Sequence, residues 1–344
     1  MSSLLTKIRR GIVEKMSDTK FSYTERVFDI ESGGAVSQWV LLLPGSGCTW
    51  AKEKGGCYMC GFKFKIKETN KGRPASHRYL MMVYRLGQVM VSDVRAERLT
   101  IYNGGSFLNS AEIPKRTQER ICRQVEKHPT IKKLFIESRP EFVTHKKITT
   151  LKSLLGDKKL EVGIGLECAT DEIRERCIHK GFSRKDYKRA VAILKEKEAE
   201  VLTYVFLKPL YLTEQEAIEE AIRTIEYAFQ AGSDEVAIES AFIQKETKME
   251  TLYSRGEYKV PWLWSIIQVV EDTHHLGPVS IGGFEDEPQP IEIPHNCSKC
   301  SHHIMKLFAE YKETHDIRLF DDLECECKSA YYKSALEADE KSLE

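Results

Sequence analysis

Short apolar runs and amphipathic helical stretches take turns along most of this chain, and that alternation restricts its fold more than any other feature. The apolar runs are Val36–Leu43, Arg98–Tyr102, Lys133–Ile136, Leu160–Leu166, Glu200–Leu207, Glu235–Ile238 and a short Val279–Ile281. Helix-spaced apolar positions follow at 77–92, 115–127, 144–154, 171–178 with 184–197, 213–231 and 261–275. Strands separated by helices pair in parallel through right-handed crossovers. Six or seven such units are too few to close an eight-stranded barrel. The expected fold is α/β, a partial (β/α)6-type open TIM barrel of parallel strands over residues 36–285. A charged helix at 4–16 and a polar stretch at 17–36 make residues 1–35 an N-terminal helical extension. Residues 286–344 form a small Cys-rich metal-binding extension.

The C-terminal ends of parallel barrel strands are where such folds keep their chemistry. Directly after the first run and the turn Pro44-Gly45-Ser46-Gly47, three cysteines fall within thirteen residues, Cys48, Cys57 and Cys60. Three thiolates on one glycine-bearing loop can hold an iron–sulfur cluster while one iron stays open to substrate. Three buried thiols, or half of a zinc site, are the alternatives. Later runs end in Asn103-Gly104-Gly105-Ser106, Glu137-Ser138-Arg139-Pro140-Glu141, Glu167-Cys168, Lys208-Pro209 and Glu239-Ser240-Ala241. Paired glycines let a backbone approach a ligand closely, and exposed peptide groups can bind a charged end of it. Taken singly, each motif also reads as an ordinary turn or capped helix start.

Composition narrows the partners. Lys plus Arg and Asp plus Glu both total 52, so no global field draws nucleic acid and any RNA contact must be local. The densest basic run is Lys63, Lys65, Lys67, Lys71 and Arg73, with Phe62 and Phe64 interleaved, which suits phosphate contacts and a stacked base. A lysine-protected edge ribbon accounts for it equally well. No stretch approaches a membrane span, and residues 1–20 lack the apolar core of a secretory signal. Ten cysteines without such a signal point to a reducing, cytoplasmic setting where thiols serve metals. In the tail, Cys297 and Cys300 match Cys325 and Cys327 across a helix at 302–313, as in a structural zinc site. His295, His302 or His303 could replace one ligand, and an auxiliary iron–sulfur cluster is the alternative occupant. Cys122, Cys168 and Cys177 read as small core residues.

The cysteine loop, Asn103-Gly104-Gly105-Ser106, the Glu137–Glu141 motif, Val162–Glu167 with His179-Lys180-Gly181-Phe182, and Leu207-Lys208-Pro209 together resemble radical S-adenosylmethionine enzymes. The long gap between Cys48 and Cys57 is similar to the branch that contains the Elongator catalytic subunit. Within it, the cysteine context and Cys-rich tail are most similar to the archaeal radical enzymes of archaeosine formation. No acetyltransferase half is expected. The resemblance implies that Cys48, Cys57 and Cys60 hold a [4Fe–4S] cluster whose open iron is chelated by S-adenosylmethionine. Gly104 and Gly105 would receive its amino group, and Met59, in a place where an aromatic is commoner, its adenine. Glu137, Arg139 and Glu167 would serve its ribose and carboxylate. The implied reaction is a radical lyase step that cleaves the carbon–nitrogen bond of a lysine adduct on a tRNA 7-deazaguanine. A partner that attaches the lysine and a reductant protein are implied with it, and no membrane. Another acceptor within the branch, or a zinc-stabilised RNA-binding module without catalysis, would fit the same motifs less fully.

Overall fold

The computed structural model describes residues 21–62, 74–284 and 289–333. The expected helix at 4–16 lies outside these residues, as do Lys63, Lys65, Lys67 and Arg73. Eight strands form one sheet in chain order: β1 (Ser22–Asp29), β2 (Gly34–Leu42), β3 (Arg98–Tyr102), β4 (Lys133–Glu137), β5 (Lys159–Glu167), β6 (Glu200–Leu207), β7 (Glu235–Ser240) and β8 (Val279–Ile281). From β2 to β8 every neighbour is parallel, whereas β1 is antiparallel to β2. The sheet is the curled, open partial barrel expected from the alternation.

Strand alternation sorts the side chains. Trp39, Leu99, Leu134 and Leu160 lie in register, as do Ile136, Val162 and Val201, and both rows face the helices. Those helices are α1 (Thr49–Lys54), α2 (His77–Met90), α3 (Lys115–Glu126), α4 (His145–Leu155), α5 (Arg184–Glu196), α6 (Glu214–Ala231), α7 (Lys248–Ser254), α8 (Leu263–Thr273) and α9 (Ser301–Thr314). Each fully buried Leu or Ile on this face contributes about 1.5–3 kcal/mol of transfer free energy. Capping boxes start α5 at Ser183 and α6 at Thr213, where each cap side chain accepts from the third helical amide.

The opposite parity lines the barrel. Phe135, Leu202 and Ala237 form a small apolar layer, with Tyr102 and Tyr204 against it. At the N-terminal ends of the strands lies a buried ionic layer. Arg98 Nη2 is 3.1 Å from Glu161 Oε2, and Lys133 Nζ is 2.6 Å from Glu200 Oε2 and 3.2 Å from Asp29 Oδ1. Charges out of water are tolerated only when so paired. Glu235 completes the layer and accepts from Ser280 Oγ at 2.9 Å.

β1 lies inside the stretch expected as a polar lead-in. Its outer positions are solvated, so it shows no apolar alternation, and only the Ser32-Gly33-Gly34 turn (Gly33 φ +63) marks the hairpin. The tail helix α9 touches both edges of the sheet. Tyr311 Oη donates to the Val279 carbonyl at β8, while Lys312 and Glu313 pair with Glu25 and Arg26 of β1. Both edges that an open barrel would leave exposed are thus covered. Among the described residues, no helix is long and apolar enough to cross a membrane.

Burial, with Glu161 beside it, pushes Glu235 up to about 7. Between its ordinary carboxylate pKa and about 7, the folded protein keeps a proton that the unfolded chain has released. The group's contribution to stability is therefore present at low pH and lost as pH rises through 7. Glu235→Gln, neutral at every pH, should be more stable than the native protein by about 1–3 kcal/mol at pH 8 and nearly equal to it at pH 5. Denaturant midpoints at the two pH values check this; an equal offset at both would contradict the buried, protonated state.

Candidate functional site

The cysteine loop springs from the end of β2. Leu43 donates its N–H to the Tyr102 carbonyl, and Gly45 is packed so tightly that an added Cβ would strike Ile113 at 2.9 Å. Cys48 then starts α1, and Gly55 and Gly56, both at positive φ, turn the chain back to bring in Cys57 and Cys60. None of the three is in a disulfide. Burial, then the neighbouring Cys57 and Cys48, raises the Cys60 thiol to about 12. Burial also raises Cys57, opposed by the cationic Lys180 and Arg139 beside it. These two cations would offset the negative charge of thiolates formed there.

Two clamps fix the loop. The first is the 179–182 motif. Trp50 Nε1 donates to the His179 carbonyl and Tyr58 N–H to that of Ile178, both at 2.9 Å. His179 Nδ1 lies 2.9 Å from the Gly56 carbonyl oxygen, and its ring stacks on Tyr58. A Cβ on Gly181 would sit 2.1 Å from the Trp50 ring, so only glycine fits. The second clamp is Glu112, which is fully buried. Its carboxylate accepts from Thr49 N–H (2.9 Å), Asn109 Nδ2 (2.8 Å) and Ser106 N–H (2.5 Å). It therefore ties the cysteine loop to the glycine loop. A Cβ on Gly105 would meet the Glu112 carboxylate at 2.1 Å and Cys48 Cα at 3.1 Å.

Of the residues singled out from the sequence, Gly105, Arg139 and Glu167 are brought to the cysteines, and Gly104 adjoins Gly105 at positive φ. The Arg139 guanidinium stacks over Trp50 and Phe182, and its Nε donates to Glu141 at 2.5 Å. Glu167, in left-handed backbone at the end of β5, accepts from Lys180 Nζ at 2.5 Å. Although burial works against its charge, Glu167 and Cys57 hold the Lys180 pKa up. Met59 packs with Tyr58 against the apolar cluster around Ile178, Phe206 and Leu210. Glu137 stands apart, influencing the phenols of Tyr102 and Tyr204 inside the barrel. Burial first, then Glu137, raises both phenols well above their usual range, with Glu239 adding to it. Lys208 is held by Glu214. Cys168 is buried in an apolar cluster, and Cys122 in the main core.

Several polar atoms at this mouth are buried without a hydrogen-bond partner: both side-chain amide atoms of Asn103, Nη2 of Arg139 and Oγ of Ser240. Such atoms are costly unless something occupies them. Roles for Glu112, Lys180, Tyr102 and Tyr204 were not legible from the sequence. Lys180 lies within the 179–182 motif but nothing there names its partners, no motif marks the other three, and only the fold brings them to the loop or into the barrel.

The tail differs in spacing. The ligand sulfurs of Cys297, Cys300, Cys325 and Cys327 all lie within 4.8 Å of one another. Three of the pairs measure 3.7, 3.5 and 3.6 Å. Tetrahedral thiolates around one ion, with metal–sulfur bonds of about 2.3 Å, stand about 3.8 Å apart. The cluster can hold a metal ion, with all four ligands cysteine and no histidine needed. Trp264 Nε1 donates to Cys327 Sγ at 3.4 Å, an outer contact of the kind that orients a ligand. Among the described residues no other group of three or more candidate ligands is drawn together in this way.

No protein-family model matches the chain. Along almost its whole length it aligns with the archaeosine synthase subunit beta of Methanosarcina acetivorans, 29% identical over 349 residues, covering 97% of this chain and 95% of that one. The resemblance read from the sequence holds. The subunit beta of Thermococcus kodakarensis is 28% identical over 300 residues, covering 85% and 89%. Among solved structures, methylornithine synthase superposes with a TM-score of 0.55 at 11% identity, covering 91% of this chain and 82% of that one. The archaeal Elp3 of Methanocaldococcus infernus gives 0.52 at 18% identity, covering 73% of this chain and 63% of that one, so the match spans a little under two thirds of the Elp3 chain. The fold is that of the radical S-adenosylmethionine enzymes.

Glu112→Gln would set an amide NH2 against a ring of donors that a carboxylate alone satisfies. A loss of about 1–3 kcal/mol of folding free energy is expected, read from denaturant unfolding of the metal-free protein. An unchanged midpoint would mean that this carboxylate does not hold the loop.

Proposed function

We propose that this protein is a radical S-adenosylmethionine lyase of tRNA modification, which cleaves the carbon–nitrogen bond of a lysine adduct on a 7-deazaguanine base to give archaeosine. One observation carries the enzymatic part: three thiols of one clamped loop lie at the barrel mouth beside Lys180, Arg139 and buried polar atoms that lack a partner. The near full-length similarity to archaeosine synthase subunit beta supports the substrate.

The residues fit the cofactors. Cys48, Cys57 and Cys60 would ligate three irons of a [4Fe–4S] cluster. Gly105, which has no room for a Cβ, and Asn103, with an unsatisfied amide, would meet the amino and carboxylate end of S-adenosylmethionine, with Gly104 beside them. Arg139 offers its unpartnered Nη2 to an anionic group. Met59 would pack the adenine, and Glu167, fixed by Lys180, would face the ribose. When bound, the pair supplies hydrogen-atom abstraction from the substrate, chemistry that belongs to the cofactor.

The protein's own work is placement and exclusion of water. Trp50, His179 and Tyr58 hold the loop rigid, and the apolar layer of Phe135, Leu202 and Ala237 floors the chamber. Above that floor, Glu137 and Glu239 make a negative interior that suits the ammonium of a lysyl group, with the Tyr102 and Tyr204 hydroxyls beside them. In the tail, four thiolates at single-ion spacing suit zinc as a structural ion. A cytoplasmic setting, a lysine-transferring partner subunit and a reductant protein complete this reading, and contact of tRNA with Lys63, Lys65, Lys67 and Arg73 belongs to it.

The test is incubation of the reduced, anaerobically reconstituted protein with S-adenosylmethionine and tRNA bearing the lysine adduct. Formation of 5′-deoxyadenosine together with conversion of the adduct to the amidine base is expected. Cys57→Ala should abolish both products, whereas Cys325→Ala should lower zinc content and the unfolding temperature while the remaining folded protein still forms 5′-deoxyadenosine. Surviving adduct beside 5′-deoxyadenosine would point to another acceptor.

A further inference from the structure

Outside the barrel mouth, α2 and α3 lie side by side and frame a groove. A depression of about 460 Å³ between them is lined by His77, Arg85, Arg116, Arg120 and Arg123 alone. It continues into a second of about 540 Å³, whose lining adds Arg78 and the apolar side chains of Met81, Met82, Leu86 and Val89. On α3, Arg116, Arg120 and Arg123 recur at four- and three-residue spacing, so one face carries a row about 10 Å long. Arg78 and Arg85 stand two turns apart on the facing helix.

The row is not neutralised. Among the described residues, Arg85, Arg116 and Arg120 make no ion pair, and Arg123 reaches only Glu119, at 3.9 Å, which also serves Lys115. Since the chain as a whole carries no net charge, so many unpaired guanidiniums in one cavity are a local concentration of field. Burial, then Arg116 and Arg120, lowers the pKa of His77. The groove also adjoins the candidate site. Ala75 N–H donates to Ser46 Oγ in the turn before Cys48, and His77 Nδ1 lies 3.0 Å from Thr117 Oγ1, joining the starts of both helices. The start of α2 is thus tied to the turn before Cys48 and to the start of α3.

We propose that this arginine groove binds the sugar–phosphate backbone of the RNA substrate. The inference rests on the reading of the substrate as tRNA and adds where, away from the reacting base, the RNA is gripped. Guanidinium forks match phosphate oxygens in two-point contacts. A protein partner would be gripped through apolar or aromatic anchors, and the first depression has no such residue in its lining. Contacts of this kind set position and affinity without reading sequence.

The test compares the native protein with the triple variant Arg85→Ala, Arg116→Ala, Arg120→Ala, measuring binding of an unmodified tRNA transcript across a salt series. Each phosphate contact contributes about 0.7–0.9 to the slope of log affinity against log salt. The triple variant should lose about 2 units of slope and at least about tenfold in affinity, with its unfolding temperature unchanged. Lysine at the three positions should keep most of the slope, and removal of the exposed Lys146 and Lys188 on other faces should change little. Native binding of the transcript with an unaltered slope in the triple variant would overturn the groove and leave the proposed function standing. Failure of the native protein to bind the transcript at low salt would overturn both. A triple variant that loses affinity for polyglutamate but keeps it for the transcript would assign the groove to an acidic protein instead.

Discussion

A single buried carboxylate, Glu112, joins the two loops on which the site depends. It accepts from the first amide of α1, next to Cys48, and from Ser106, next to Gly105, in a space where neither loop leaves room for more than hydrogen at the glycine. A loop that must present three thiols in fixed relation cannot be left to its own entropy, because each ordered residue costs on the order of 1–2 kcal/mol. Here that cost is offset by backbone bonds and by the Trp50–His179–Tyr58 stack from the far side. The cysteine loop is therefore held from two parts of the sheet, one near β3 and one near β5, with β4 between them.

The barrel beneath is graded along its axis. An ionic layer of Arg98, Lys133, Glu161, Glu200 and Glu235 closes the N-terminal end, an apolar layer around Phe135 lies above it, and polar side chains occupy the mouth. At the mouth, the unsatisfied polar atoms of Asn103, Arg139 and Ser240 lie where a ligand can reach them, while Arg98 Nε and Glu161 Oε2 lack a hydrogen-bond partner within the ionic layer. The open side needs a cover, and α9, which starts directly after Cys300, provides it by bonding to both edges.

Much of this was legible in the sequence, for identifiable reasons. Strands β3 to β8 are buried on both faces or nearly so, and continuous runs such as Val201–Leu207 announce themselves. Their ends were located within a residue or two, although β7 continues to Ser240 because polar Glu239 still pairs with Phe206. The antiparallel β1 was missed because an edge strand with solvated side chains has no pattern to read. The glycine and cysteine motifs were visible because their spacing is local. The roles of Glu112, Lys180 and the tyrosine pair inside the barrel were not, because Glu112 and Lys180 act on the cysteine loop from far along the chain and the tyrosines meet only across the sheet. The arginine groove was hidden likewise: Arg85 and Arg120 sit on separate helices, and a balanced total charge conceals a face where the two rows meet.

The central claim is that Cys48, Cys57 and Cys60 leave one iron of a cluster open to S-adenosylmethionine. Electron–nuclear double resonance on the reduced, reconstituted protein, with S-adenosylmethionine isotopically labelled in its amino and carboxylate groups, tests it most directly. Hyperfine coupling of both labels to the cluster is predicted. A cluster signal that carries no coupling from either label, or a reconstituted protein that holds zinc and no cluster, would contradict it.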